Sequence, residues 1–305
     1  MGDRTQNDLY ADPLLTALSI GFTQDTFIGK RVIPDVPVLK EEGKYNVFGR
    51  EFLKRNNTRR ADKSEANRVS WSLTEATYTC EAEALGDLVS DRERKNADPA
   101  SDPEEATVHT LTQGLMLEKE FQAKEALFTA ANYGANTVSP GTKWDNSAGD
   151  PLEEIETRRR QVMGSSGARV NKLVLGRDVF AALKFAPQVL DAMSDMAHKV
   201  LTEEVLAQLT GIPEVIVGEA VYDTAPEGAT ESISPIWGSH AALIVVPERP
   251  GLRVPSVAYR FVSEDLAVYR ARAGMNRSDY LEVQEIYTTK FTSVHCGFLF
   301  TDVLT

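Results

Sequence analysis

Residues 27–68 of this chain read FIGKRVIPDVPVLKEEGKYNVFGREFLKRNNTRRADKSEANR. A proline-punctuated, extended stretch runs straight into a long, polar, strongly basic excursion. The first long helix with a proper cap starts only near Asp102, so a third of the chain precedes any evident core element. Structureless loops beyond about 12–15 residues are uncommon inside a compact domain. Arms that reach over neighbouring copies need such lengths. The chain therefore reads as an assembly subunit and not as a catalyst.

The 305 residues allow one large domain or two ordinary ones. With 42% hydrophobic and 26% charged residues the composition is globular, not disordered. No apolar run approaches the roughly 18 residues of a membrane helix. The segment MGDRTQNDLYADP has no apolar stretch of the secretory kind, and Gln6 stands where a myristoylation signal needs Ser or Thr. Cys80 and Cys296 are far apart and lack CxxC partners, which fits two buried, reduced thiols.

The net charge is −12, which repels nucleic acid in general. The charge is uneven. Residues 50–68 carry Arg50, Lys54, Arg55, Arg59, Arg60, Lys63 and Arg68 against Glu51, Asp62 and Glu65. That stretch is +4, which leaves −16 on the remainder. A basic excursion on an acidic body suggests that the loop of one copy lies on the acidic face of another. The seven cations are the candidate inter-subunit contacts; a solvated surface loop is the competing reading. Only Phe52 is interleaved among them, so no aromatic platform for bases is present.

Asp12-Pro13 suits the start of a short helix. Val32, Pro34, Val36 and Val38 read as an extended segment, an edge strand or an arm across a partner. Residues 38–92 read as a two-stranded excursion, outgoing at 44–48, returning at 69–74, with a polar tip at 56–60. A hairpin alone is marginal in water, so it must dock on something, plausibly a neighbour. Asp102, Pro103 and Glu105 form a capping-box pattern for a helix over 102–133, stopped by Gly134. Asp150-Pro151 repeats the start signal for a helix to about Met163. Strands at 169–175, 214–221 and 241–246, with helices at 177–185, 187–197 and 202–209, make a compact α/β unit. Its near-continuously apolar strands suit a sheet covered on both faces. After Pro255 four strands are expected, at 257–262, 266–272, 280–288 and 294–300.

Chemistry-bearing motifs are missing. No GxSxG, HExxH, GxxxxGK[ST] or GxGxxG occurs. Gly164-Ser165-Ser166-Gly167 follows a helix, the wrong order for a phosphate cradle, and reads as a helix stop. His109, His198, His240 and His295 are scattered without metal-like partners. Glu153, Glu154 and Glu156 suit a helix start, with Arg158, Arg159 and Arg160 a turn later. No catalytic, cofactor-binding or metal-ligating residue is expected, and no enzymatic activity.

The order of parts is an extended arm, a basic hairpin, a long bracing helix, an α/β unit and closing strands. With Phe27-x-Gly29-x-x-Val32-x-Pro34-x-Val36-Pro37-Val38 and then Gly43-Lys44-Tyr45, this resembles tailed-bacteriophage major capsid proteins of the Hong Kong 97-type coat fold. The resemblance covers essentially the whole chain and implies an α+β fold. It implies an N-terminal arm (1–37), an extended loop (38–97), a peripheral domain (98–149) with spine helix 102–133, and an axial domain (150–254). Residues 255–305 would add peripheral strands, with a return of the last strand to the axial domain left open. It further implies a homo-oligomer of pentamers and hexamers in an icosahedral shell, enclosing double-stranded DNA without reading its sequence. Portal, scaffold and decoration proteins would be partners, a membrane would not, and the place would be the virion after assembly in host cytoplasm. The arm starts almost at Met1, so a separate scaffold, or none, is expected. Cross-linking of Lys54 or Lys63 to a neighbour is not expected. An encapsulin-like compartment shell, or a tail-tube or other virion structural protein, is the alternative.

Overall fold

The computed structural model describes residues 10–12, 14–16, 26–47, 50–60, 62, 64–68, 74–97, 102–194, 200–226 and 228–305. Arm residues begin with β1 (Tyr10–Ala11), then a helical turn α1 (Gly29–Val32) and β2 (Asp35–Pro37). The excursion holds β3 (Glu42–Val47), β4 (Thr74–Thr79) and β5 (Glu81–Ser90). Next come α2 (Asp91–Asn96), the long α3 (Pro103–Phe128), α4 (Ala130–Tyr133) and β6 (Thr137–Val138). The α/β unit follows as α5 (Pro151–Ser166), β7 (Lys172–Gly176), α6 (Arg177–Leu183), α7 (Pro187–Met193), α8 (Glu203–Thr210) and β8 (Glu214–Gly218). Then come β9 (Val221–Asp223), β10 (Ile233–Pro235) and β11 (Ala241–Ile244). The chain closes with β12 (Ala258–Ala273), β13 (Ser278–Phe291) and β14 (Gly297–Phe300).

Two sheets organise the molecule. One runs β1-β12-β13-β5, with β2 added in parallel to β12. The other runs β6-β14-β11-β7-β8. Parallel pairing of β7 and β8 requires a crossover, which α6, α7 and α8 supply. Strands β7, β8 and β11 are buried almost throughout, as their apolar runs require. The last strand lies between β6 and β11, in the α/β sheet.

Helix α3 ties the two sheets together. Its 26 residues span about 39 Å at 1.5 Å each. Val108 packs with Val268, Leu281 and Val283 of the long-stranded sheet. Twenty residues on, Leu127 and Phe128 belong to the α/β core with Trp237, Leu243 and Phe298. The N-cap is Asp102, whose Oδ1 accepts from the Glu104 N–H at 2.9 Å. The expected capping box does not form, because Asp102 caps the N–H of Glu104 and not that of Glu105; the Glu104 carboxylate itself meets Arg270 at 3.0 Å and Arg94 at 3.0 Å. The helix breaks at Thr129, and Gly134 with φ +54° ends the short α4 as expected.

Other differences from the sequence reading have local causes. Val32 closes a helical turn, so extended backbone starts at Ile33 and sheet pairing at Asp35. The expected strands at 257–262 and 266–272 are one 16-residue strand, β12. Its pairing with β13 shifts register between Val262 and Glu264 and again before Ala267, where Glu264 and Asp265 face solvent. The strand expected over 214–221 is interrupted, ending at Gly218 and resuming at Val221. Residues 81–90 leave the two-stranded ribbon and pair with β13 over ten positions. The return strand expected at 69–74 lies outside the described residues except for Thr74, from which β4 pairs with β3. Gly167 (φ +68°) and Gly211 (φ +63°) stop α5 and α8 as their sequence positions indicate.

A buried carboxylate joins arm, helix and α/β unit. Glu120 of α3 is 3% exposed. Its Oε1 accepts from the Ile28 N–H at 3.0 Å and from Trp237 Nε1 at 2.7 Å, and its Oε2 from the Gly29 N–H at 2.7 Å. Burial pushes its pKa up, opposed by those three bonds. At the other end of α3, Asp279 receives Arg270 (2.5 Å), Arg272 (2.8 Å) and Arg94 (2.6 Å). Burial opposes its ionisation, but the three guanidinium bonds outweigh it and hold the carboxyl at about 2.

Two outcomes are expected. Glu120→Ala strands three buried donors, each worth about 1–3 kcal/mol when unpaired, so urea unfolding should lose about 3 kcal/mol or more. A loss below about 0.5 kcal/mol would show the knot to be dispensable. An aspartate depressed below its unfolded value of about 3.9 stabilises fully above that pH and loses the gain as pH falls towards about 2. Stability should therefore drop more steeply from pH ~4 to ~2 in the native chain than in Asp279→Asn. Parallel profiles would remove Asp279 from the account.

Candidate assembly surfaces

The ribbon of β3 and β4 pairs Glu42 with Thr79 through Val47 with Thr74. Six such pairs do not hold a hairpin in water by themselves. Its root docks on the chain's own sheet, on the face away from α3. Tyr78 stacks on Phe261 of β12 with centroids 4.6 Å apart, and Tyr45 meets the same ring at 5.3 Å. Val36, Val38, Cys80, Tyr259 and Ile286 complete this small core. Burial pushes up the Cys80 thiol and the Tyr45 hydroxyl, as in a dry packing layer. Across the exposed face Lys44 meets Glu75 at 2.9 Å, and that hydrogen bond raises the lysine pKa.

Beyond the root the described residues of the excursion are mostly polar and exposed. Arg50 opens a 3-10 turn over Arg50–Leu53, and the Leu53 side chain lies against Gly167 at the end of α5. Residues 54–60 have neither helix nor strand, and all of them are exposed. The Arg59 N–H donates to Asn57 Oδ1 at 3.1 Å, and Arg60 Nε donates to the Ser64 carbonyl at 2.5 Å. Asn67 Nδ2 donates to the Asn57 carbonyl at 2.8 Å, holding the two limbs of the tip together. Arg68 pairs with Glu65 at 3.6 Å, both nearly fully exposed. Among the described residues, Arg50, Lys54, Arg55, Arg59 and Arg60 reach no carboxylate within ion-pair distance; Lys63 lies outside the described residues. Six of the seven predicted contact residues thus share one exposed segment, and among the described residues only Arg68 of these six has an ion-pair partner.

Arm residues follow their own sheet. Asp12 Oδ1 accepts from the Leu14 N–H at 3.0 Å, β1 pairs with Tyr269 and Arg270, and Thr16 Oγ1 accepts from the Val268 N–H at 3.0 Å. Next to α1, Glu214 takes Arg31 and Lys172, both at 2.9 Å. Sequence reasoning did not find these anchors, because nothing in the local pattern marks Glu120 or Glu214 apart from other acids. The acids at the start of α5 behave as a helix face: Glu156 pairs with Arg159 (2.6 Å) and Arg160 (2.8 Å), while Glu154 takes Trp144 Nε1 at 2.8 Å.

Apolar side chains are exposed on the α/β unit at Phe185 before α7, Leu190 within it and Val200 after it. Among the described residues no group of three or more His, Cys, Asp or Glu is placed to hold a metal ion. Cys80 and Cys296 are buried and unbridged; His198 lies outside the described residues. No helix among the described residues is long and apolar enough to cross a membrane.

No family model matches the chain. It is 26% identical over 310 aligned positions, covering 96% of both chains, to the major capsid protein of Burkholderia phage BcepMu. It is 28% identical over 239 positions, 76% of both chains, to the major capsid protein of Pseudomonas phage JBD67. Among solved structures, a phage-related protein from Bordetella bronchiseptica RB50 superposes with TM-score 0.77 at 24% identity, covering 96% of this chain and 97% of that one. The mature capsid of bacteriophage PhiM1 matches with TM-score 0.54 at 14% identity, covering 92% and 88%.

Proposed function

We propose that this chain is a major capsid protein of a tailed bacteriophage, the coat subunit of its head shell. It has the Hong Kong 97-type coat fold, α+β throughout. Similarity to two phage coat proteins along 96% and 76% of the chain carries the reading, and the uncovered basic excursion agrees with it. The role is structural: a coat protein works by geometry and not by turnover.

On this reading residues 1–37 are the arm, 38–97 the extended loop, 98–149 and the strands after Pro255 the peripheral domain, and 150–254 the axial domain. Helix α3 is the spine. The placement of β14 beside β11 supports a return of the chain's end to the axial sheet. Axial domains meet head to tail around fivefold and quasi-sixfold axes, since heterologous contacts close into rings. Phe185, Leu190 and Val200 offer apolar surface for that contact. Each contact is weak alone, and many per subunit act together through high effective concentration. The net charge of −12 keeps packed double-stranded DNA from sticking to the wall. Portal, scaffold and decoration proteins are the further partners, with assembly in the host cytoplasm and residence in the virion.

The cations Arg50, Lys54, Arg55, Arg59, Arg60, Lys63 and Arg68 then contact the acidic surface of a neighbouring subunit. Arg59→Glu with Arg60→Glu should give a folded, soluble subunit that sediments without shell-sized particles. Native-sized particles from that double variant would exclude the tip as a contact. Wild-type protein, alone or with its neighbouring phage genes, should sediment as large closed particles. A small monodisperse oligomer in both settings would contradict the coat reading itself.

A further inference from the structure

Strands β4 and β5 run nearly continuously from Thr74 to Ser90, and among the described residues the edge they share is only half covered. The Asp91 N–H donates to the Arg277 carbonyl at 3.0 Å, in register with the Ser278–Ser90 pair. In an antiparallel ladder this directs the odd-numbered backbone groups of β5 towards β13 and the even-numbered ones away from it. The Cys80 N–H obeys the rule, donating at 2.8 Å to the Glu41 carbonyl at the start of β3. So β3 covers the outer edge along β4 and stops there.

From that point the edge divides into an open part and a closed part. The Leu88 N–H is taken by Asp87 Oδ1 at 2.7 Å, and the Ser90 N–H by Glu93 Oε2 at 2.8 Å. Side chains of the same strand and of α2 thus seal its far end, the usual protection of an edge. Ala82, Ala84 and Gly86 lie between, all exposed, with outward backbone groups that meet no partner among the described residues. Their small side chains leave the approach clear. The Tyr280 ring covers Gly86 from the sheet face, where an added Cβ would stand 2.2 Å from its hydroxyl. Residues 81–87 therefore form a seven-residue slot, about 24 Å long at 3.4 Å per residue.

Charge names the occupant. The slot carries Glu81, Glu83 and Asp87 and no cation, and Glu282 stands opposite Gly86 on β13. Residues 54–60, KRNNTRR, are also seven, carry four cations and no acid, and have no ladder of their own. We infer that residues 54–60 of a second copy add as a strand to the open edge of β5 at Ala82–Gly86, continuing the line of β3. Main-chain hydrogen bonds supply the affinity and the acidic side chains select the basic segment. The inference rests on the coat reading and names the acceptor for its basic loop.

The test is a cysteine pair, Asn56→Cys with Ala84→Cys, in assembled wild-type-like particles treated with a short bismaleimide. Both native thiols are buried, so each single variant serves as its own background. The expected result is a ladder of covalent multimers on a denaturing gel from the double variant, at least tenfold above either single one. Intact particles with no ladder above that background overturn the strand addition and leave the coat reading standing. Absence of wild-type particles under any condition removes both. If the cysteine variants do not assemble, Ala84→Pro decides, because its N–H faces away from β13 and its loss spares the subunit's own ladder. Folded Ala84→Pro subunits that fail to form particles support the inference; normal particles from them overturn it.

Discussion

The Glu120 carboxylate is the interaction on which the rest of the subunit depends. Three parts distant in sequence meet at it: the turn at Ile28–Gly29, the middle of α3 and the loop at Trp237. A buried charge costs several kcal/mol unless its lone pairs are filled, and here three donors fill them. Trp237 is also fully buried and stacks edge-on against Phe128, so the polar knot sits inside an apolar one. Above it runs a second layer of paired charge. Lys119 holds Glu285 at 2.5 Å, and Arg260, 1% exposed, reaches Asp35 at 3.3 Å. These contacts fix the direction in which the arm leaves the body, and with it the place from which β2 and β3 start.

A subunit that must fit several positions in a shell needs a rigid body and adaptable extensions. The division is visible in the packing. Helix α3 shares two cores, and the Asp279 cluster clamps its first turn, so the body resists bending between sheets. The excursion has a packed root on Phe261 and a tip with almost no tertiary contact. Docking of the root on the chain's own sheet answers the problem of an isolated hairpin without any neighbour. Among the described residues Arg55, Arg59 and Arg60 at the tip meet no carboxylate, which is what an inter-subunit contact requires.

Much of this was legible in the sequence because it is local. Asp102 and Asp150 before proline mark helix starts, and Gly134, Gly167 and Gly211 mark stops, each through backbone geometry at one position. The basic stretch 50–68 shows in charge alone. Pairings across long sequence separation were not legible. Residues 81–90 look like the return of a hairpin until β13, about two hundred positions later, takes them into another sheet. Glu264 and Asp265 fall in the polar gap between two expected strands, yet β12 carries them through as an irregularity. Glu120 sits in a helix rich in Glu and Lys, where only the fold distinguishes the buried acid from the solvated ones. The open edge at Ala82–Gly86 depends on which backbone groups face β13, which sequence cannot state.

The most direct test of the account is a cryo-electron-microscopy reconstruction of particles assembled from the purified protein. The account predicts a closed icosahedral shell in which this fold fits every subunit, axial domains around the symmetry axes and residues 54–60 of each copy lying on its neighbour. An open tube, or a closed shell whose basic tips face solvent away from every neighbouring copy, would contradict it.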